Sequence, residues 1–77
     1  MSVAGQSTGQ DLADRRAAFD QVEEARKAHG ISQSELARRA GLSEATYHRL
    51  KATGRTPYRR TIVALRRALA ELTGAAA

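Results

Sequence analysis

The sequence predicts an all-α domain of four, at most five, short helices. Three observations carry this. No segment alternates apolar and polar residues with a period of two, so no strand is expected. Apolar residues recur instead at spacings of three and four. Finally, "ISQSELARRAGLSEATYHRL", Ile31 to Leu50, holds two helix-start signals, Ser32 and Ser43, with a helix-stop signal at Gly41 between them. A core alone does not require a helix to stop and restart after about two turns. A surface that must push one helix outward does.

Residues 1–10 are rich in Gly, Ser, Gln and Thr and read as a disordered arm. They have neither the basic start nor the apolar run of a signal peptide. Helix-forming residues then run from Asp11 to Ala28 without Gly or Pro. Leu12, Phe19, Val22 and Ala25 form one apolar stripe there. Asp11 and Asp14 suit the positive end of the helix dipole, and Arg26, Lys27 and His29 suit its negative end. Gly30 is placed to stop this first helix.

Ser32 and Glu35 fit a capping box, and Ile31 with Leu36 fits a hydrophobic staple, so a second helix is expected at about 33–40. Gly41 ends it, since glycine accepts the positive φ of a tight turn. Ser43, with Leu42 and Tyr47 as a second staple, starts a third helix at about 44–52. Tyr47 and Leu50 face inward on it; Glu44, Ala45, His48 and Arg49 face the other way. Residues 53–56 form a loop carrying Gly54. Thr56-Pro57 reads as a cap followed by proline at the first helical position. The fourth helix runs to about Leu72, with Ile62, Leu65, Leu69 and Leu72 as its buried stripe. The folded domain is thus expected over 11–72, with a frayed tail at 73–77.

Seventy-seven residues make one small domain. There is no cysteine, and two histidines cannot fill a structural zinc site, so no metal and no cofactor are expected. No stretch approaches the roughly 20 apolar residues of a membrane span, which points to a cytoplasmic protein with no membrane partner. Neither a phosphate-binding glycine loop nor a nucleophile–base pair stands out. An enzyme, or a site for a small-molecule ligand, is therefore not expected.

The net charge of +5 is unevenly spread. Residues 1–44 carry six basic and seven acidic side chains, whereas 45–70 carry seven basic ones (Arg49, Lys51, Arg55, Arg59, Arg60, Arg66, Arg67) and no acid. A one-signed field of this kind attracts polyanions. Eleven of the thirteen cations are arginine, which bonds phosphate and guanine bidentately.

Two short helices joined by a tight glycine turn make a helix-turn-helix, whose second helix can enter a DNA major groove about 12 Å wide. Here "GISQSELARRAGLSEATYHRL" resembles the lambda-repressor and Cro-type helix-turn-helix of bacterial and phage regulators. The resemblance continues through "KATGRTPYRRTIVALRRAL", from about Phe19 to Leu69. It rests on Gln33, Leu36-Ala37, Gly41, Ser43 and the Tyr47/Leu50 pair standing in register.

The resemblance implies roles. Gln33 would bond a phosphate beside the amides that open the second helix. Ser43, Glu44, Ala45 and Arg49 would face base edges: Arg49 toward guanine, Glu44 toward cytosine N4, Ala45 toward a thymine methyl. Thr46, His48, Arg55, Arg59 and Arg60 would contact phosphates, each neutralised phosphate steepening the salt dependence of binding. Tyr47 reads as core rather than as a stacking platform, and Arg66 and Arg67 as solvated. Arg15 and Arg16 are not expected on DNA.

The sequence departs from the family in four places. Gly54 falls one position later than the family's glycine, at whose place Thr53 stands. Arg59 stands where an apolar residue often starts the fourth helix, and Tyr58 can fill that space. The acid that often pairs with an arginine at the place of Arg26 is replaced by Lys51, so Arg26 needs another partner, Glu23 or Glu35. A fifth helix, often part of the dimer contact, has no counterpart. A homodimer would then form through a patch such as Leu12, Val63 and Ala70, or only on DNA. The expected function is a Cro-like repressor of double-stranded DNA operators. The alternatives are an antitoxin or excision-control protein, and a protein-interaction adaptor on the same fold.

Overall fold

The computed structural model describes the backbone of residues 3–74. Four helices follow in order: α1 (Val3–Ala28), α2 (Gln33–Ala40), α3 (Glu44–Thr53) and α4 (Arg59–Thr73). Helix α4 packs against α1 and α2, and α2 against α3. The all-α expectation holds among the described residues.

Helix α1 starts at Val3, not at Asp11, so residues 3–10 continue the helix where a disordered arm is expected. Only the calls on residues 1–2 and 75–77 lie outside the described residues. The physical reason is cooperativity. Extending an existing helix needs no new nucleus, and no proline interrupts this stretch. Gly5 and Gly9 cost only about 1 kcal/mol each relative to alanine.

The two short helices are bounded as their local chemistry dictates. Ser32 Oγ accepts from the Glu35 amide at 3.0 Å, and Ser43 Oγ accepts from the Thr46 amide at 3.0 Å. Gly41 has φ 79° and closes α2 through its amide to the carbonyls of Ala37 and Arg38. Leu42 N then donates to Ala37 O at 2.8 Å, completing the bend that leads into α3.

The start of α4 differs from expectation. Its N-cap is Tyr58, without a side-chain cap bond, and Pro57 lies before the helix rather than at its first position. Pro57 is instead one of the most deeply buried side chains. Its ring buries apolar surface beneath the α3–α4 loop, and a proline disfavours helical backbone at the residue before it, Thr56.

The core gathers Ala18, Phe19 and Val22 of α1 with Ile31, Leu36 and Ala37, Tyr47 of α3, and Ile62, Leu65 and Ala68 of α4. Burying each large member contributes roughly 1.5–3 kcal/mol. The Ile31/Leu36 staple is buried, while Leu42, Leu50, Leu69 and Leu72 pack at its edge. Phe19 and Tyr47 meet at 5.6 Å between ring centroids, tilted by 52°. The stripe on α1 begins at Ala18 rather than Leu12, which is 43% exposed. The preceding two turns of α1 face the α3–α4 loop with polar groups instead.

Candidate nucleic-acid interface

The outward face of α3 begins at its cap. The Ser43 hydroxyl accepts from the Thr46 amide and gives its own proton to Thr46 Oγ1 at 2.8 Å. Ser43 therefore keeps one lone pair for an outside donor, while the Thr46 hydroxyl proton stays free for an acceptor. Glu44, Ala45, His48 and Arg49 are exposed along the same face. Ser34 of α2 donates to Glu44 Oε1 at 3.2 Å. That bond sets the amino ends of α2 and α3 side by side, with half-buried Gln33 opening α2.

Arg49 lines a groove together with Thr46, Leu50, Arg55, Thr56, Pro57, Tyr58 and Thr61. This groove joins the exposed face of α3 to the loop that follows it. Thr53, at the place of the displaced glycine, shapes that loop. Its hydroxyl donates to Arg49 O at 2.7 Å and accepts from the Arg55 amide at 3.4 Å. The chain then turns at Gly54, with φ 70°.

The cations after α3 have different surroundings. Arg55 is exposed at the groove. Arg60 lies over the Tyr58 ring, 4.9 Å from its centroid, an arrangement that orients a guanidinium without neutralising it. Arg59 Nη2 donates to Asp11 Oδ1 at 2.6 Å, although its side chain remains 74% exposed. Among the predicted site residues, Thr46, Arg49 and Arg55 thus share the groove, and Gln33, Ser43 and Glu44 share the paired helix ends. Among the described residues, Arg59 alone of these is tied to α1 through its side chain.

Behind α3 sits a polar cluster that fixes its position. Arg26 bonds Glu23 with two parallel contacts, Nε to Oε2 and Nη2 to Oε1, both 3.0 Å, and donates through Nη1 to Ile31 O at 2.8 Å. The Tyr47 hydroxyl donates to Glu23 Oε2, and Lys51 Nζ lies 3.7 Å from Oε1. Glu23 is thus the partner that Arg26 needs. It also answers the missing acid of α3: the carboxylate sits on α1, and α3 supplies Tyr47 and Lys51 to meet it.

Burial by itself pushes the Glu23 carboxyl up. The hydrogen bonds from Arg26 and Tyr47 and the charges of Arg26 and Lys51 outweigh burial and hold it below the usual carboxylate value. The Tyr47 phenol is pushed well above its ordinary value, first by burial and then by its bond to the Glu23 carboxylate.

A second set of contacts from α1 escapes sequence reasoning. Arg16 Nη1 donates to the carbonyls of Leu50 at 3.2 Å and Arg55 at 3.0 Å. Arg15 Nη1 donates to the carbonyl of Pro57 at 2.8 Å. The adjacent acids, Asp11 and Asp20, pair with these arginines at i,i+4 spacing and were the only available signal. The acceptors are backbone carbonyls, which no residue pattern marks.

Comparison with known proteins agrees with this geometry. A family model described as helix-turn-helix matches residues 22–73, and the chain belongs to that family, the lambda-repressor/Cro type of DNA-binding regulator. No curated protein and no solved structure matches it.

Proposed function

We propose that this DNA-binding regulator is a Cro-like repressor that inserts α3 into the major groove of an operator and occludes a promoter. One observation carries the reading most directly. The amino end of α3 is exposed beside that of α2, and the face between them runs into a groove flanked by Arg49 and Arg55. Free helix amides favour phosphate at these two amino ends, and the arginine fork favours guanine O6 and N7.

In this reading Arg49 reads guanine and Glu44 accepts from cytosine N4, its carboxylate oriented by Ser34. Ala45 touches a thymine methyl, and Ser43 uses its remaining lone pair on a base donor. Gln33, Thr46, His48, Arg55, Arg59 and Arg60 hold phosphates on either side. Two copies would occupy half-sites about one helical turn apart. The exposed Leu12 and Val63 offer apolar surface for their contact. A protein-interaction adaptor would have no use for the cations around this face.

Selection of bound sites from random duplex DNA at two salt concentrations tests the reading. Wild type should enrich one motif. Arg49→Ala should relax preference at one base pair and cost about 1–3 kcal/mol there. Arg60→Ala should weaken all sequences alike and make the salt dependence shallower by about one phosphate. Absence of any enriched motif would overturn it.

A further inference from the structure

We infer that Arg15 and Arg16 of α1 are positioning residues for DNA binding: they lock the α3–α4 loop so that its cations meet the phosphate backbone. The inference rests on the DNA-binding reading above and adds to it residues that lie before 22, where the family match begins.

The end of α3 shows why a lock is needed. Gly41 closes α2, and Gly74 closes α4, each by donating its amide to carbonyls of the preceding turn. For Gly54 at the end of α3 no such amide bond is formed among the described residues. The carbonyls of the last turn are then left for other donors. Arg16 reaches across from α1 and supplies one. Both hydrogens of its Nη1 are used, on Leu50 O inside the helix and Arg55 O beyond the turn. Its positive charge also sits at the negative end of the α3 dipole. Arg15 takes the carbonyl of Pro57, two residues further along. Three carbonyls spanning the loop are thus pinned to two neighbouring side chains of one helix.

Each arginine is itself held in place. Arg15 Nε lies 3.1 Å from Asp11 Oδ2, and Arg16 Nη2 lies 3.2 Å from Asp20 Oδ1. The Arg16 guanidinium also lies over the Phe19 ring, 5.1 Å from its centroid. Asp11 reaches in the same way to Arg59, so one carboxylate ties α1 to both the lock and the first turn of α4. Each guanidinium is divided between the loop and an α1 carboxylate, and the Arg15 side chain is only 19% exposed. They act through the loop, not on DNA directly.

Lysine separates these roles. It keeps the charge, but its single ammonium nitrogen cannot serve the loop carbonyls and the Asp20 carboxylate at once, as the separate Nη1 and Nη2 of Arg16 do. Wild type, Arg16→Lys and the double variant Arg15→Lys/Arg16→Lys are titrated against the selected duplex at several salt concentrations. Exchange of the Arg55 and Thr56 amides is followed in the free proteins, and the core variant Ile62→Val controls for general loss of stability. Arg16→Lys should bind about tenfold more weakly. Its salt slope should be shallower by about one, and its loop amides should exchange faster, while Ile62→Val changes neither slope nor loop exchange. Should the double variant not fold, Arg16→Lys, which keeps the Arg15 bond, decides alone. Wild-type affinity and slope in a folded Arg16→Lys would overturn the inference and leave the DNA reading standing. Failure of wild type to bind any duplex would remove both.

Discussion

Removing the Glu23 carboxylate probes the cluster that seats α3. In Glu23→Ala the Arg26 guanidinium, whose side chain is 10% exposed, loses both parallel contacts and keeps only Ile31 O. The Tyr47 hydroxyl, on a residue with no exposed surface, loses its acceptor. Breaking one side of a buried ion pair costs about 3–5 kcal/mol, mostly because the remaining charge stays buried. A 77-residue domain has a total stability of about 4–12 kcal/mol. The substitution should therefore remove about a quarter of it or more. Glu23→Gln keeps the volume and an acceptor for Tyr47 but turns an amide NH₂ toward Arg26 or leaves it a weaker, neutral bond, costing about 1.5–3 kcal/mol. Urea unfolding followed by far-UV ellipticity reads both values, and a cycle with Tyr47→Phe should show coupling of about 0.5–3 kcal/mol. A Glu23→Ala loss below about 1 kcal/mol would show that the pair is solvated, and the account of how α3 is seated would fail.

The same cluster sets a pH dependence. Glu23 is held below its ordinary value of 4.5, so its contribution is full above that pH and is lost as pH falls through the folded-state value. Tyr47 is raised above its ordinary value of 10.0, so its contribution is full below that pH and declines above it. Urea midpoints across the pH range should fall at both ends, and Glu23→Gln should flatten the acid side; an unchanged acid slope in that variant would contradict the assignment. Gly41→Ala should cost about 1–2 kcal/mol through backbone strain alone. A Cβ there meets nothing within 4 Å, so Gly41→Asn should recover part of the loss in the same unfolding assay.

What could be read from the sequence follows the range of each interaction. Ser32, Ser43 and Gly41 act on amides and carbonyls three or four positions away, so side-chain chemistry and spacing are enough to place α2 and α3. The exposed face of α3 follows from those caps together with the inward Tyr47. Pro57 is different. A first-turn proline and a buried loop proline satisfy the same local rule, and only tertiary burial separates them. Arg15 and Arg16 reach acceptors 34 to 42 positions away. Since every residue has a carbonyl, no residue type announces the target. The early start of α1 was hidden for another reason. Composition describes whether residues 3–10 would hold a helix alone, whereas the helix they extend is already nucleated.

The one-signed charge between 45 and 70 also changes meaning once folded. Acids from outside that span return to it: Asp11 pairs with Arg59 and Glu23 with Lys51. Among the described residues, no carboxylate lies within 4.0 Å of Arg49, Arg55 or Arg60. Two of these line the groove, and the third opens α4 beside it. The two returned acids are not equivalent. Glu23 is buried with several donors, so Lys51 stays committed to the cluster that seats α3. The Asp11–Arg59 pair has its cation largely in solvent, and pairs of that kind are worth about 0–1 kcal/mol. A duplex phosphate, reinforced by its neighbours along the strand, competes well with one such carboxylate. In the proposed complex Arg59 would exchange Asp11 for a phosphate, and α1 would lose little by releasing it because Arg15 and Arg16 still bond the loop carbonyls.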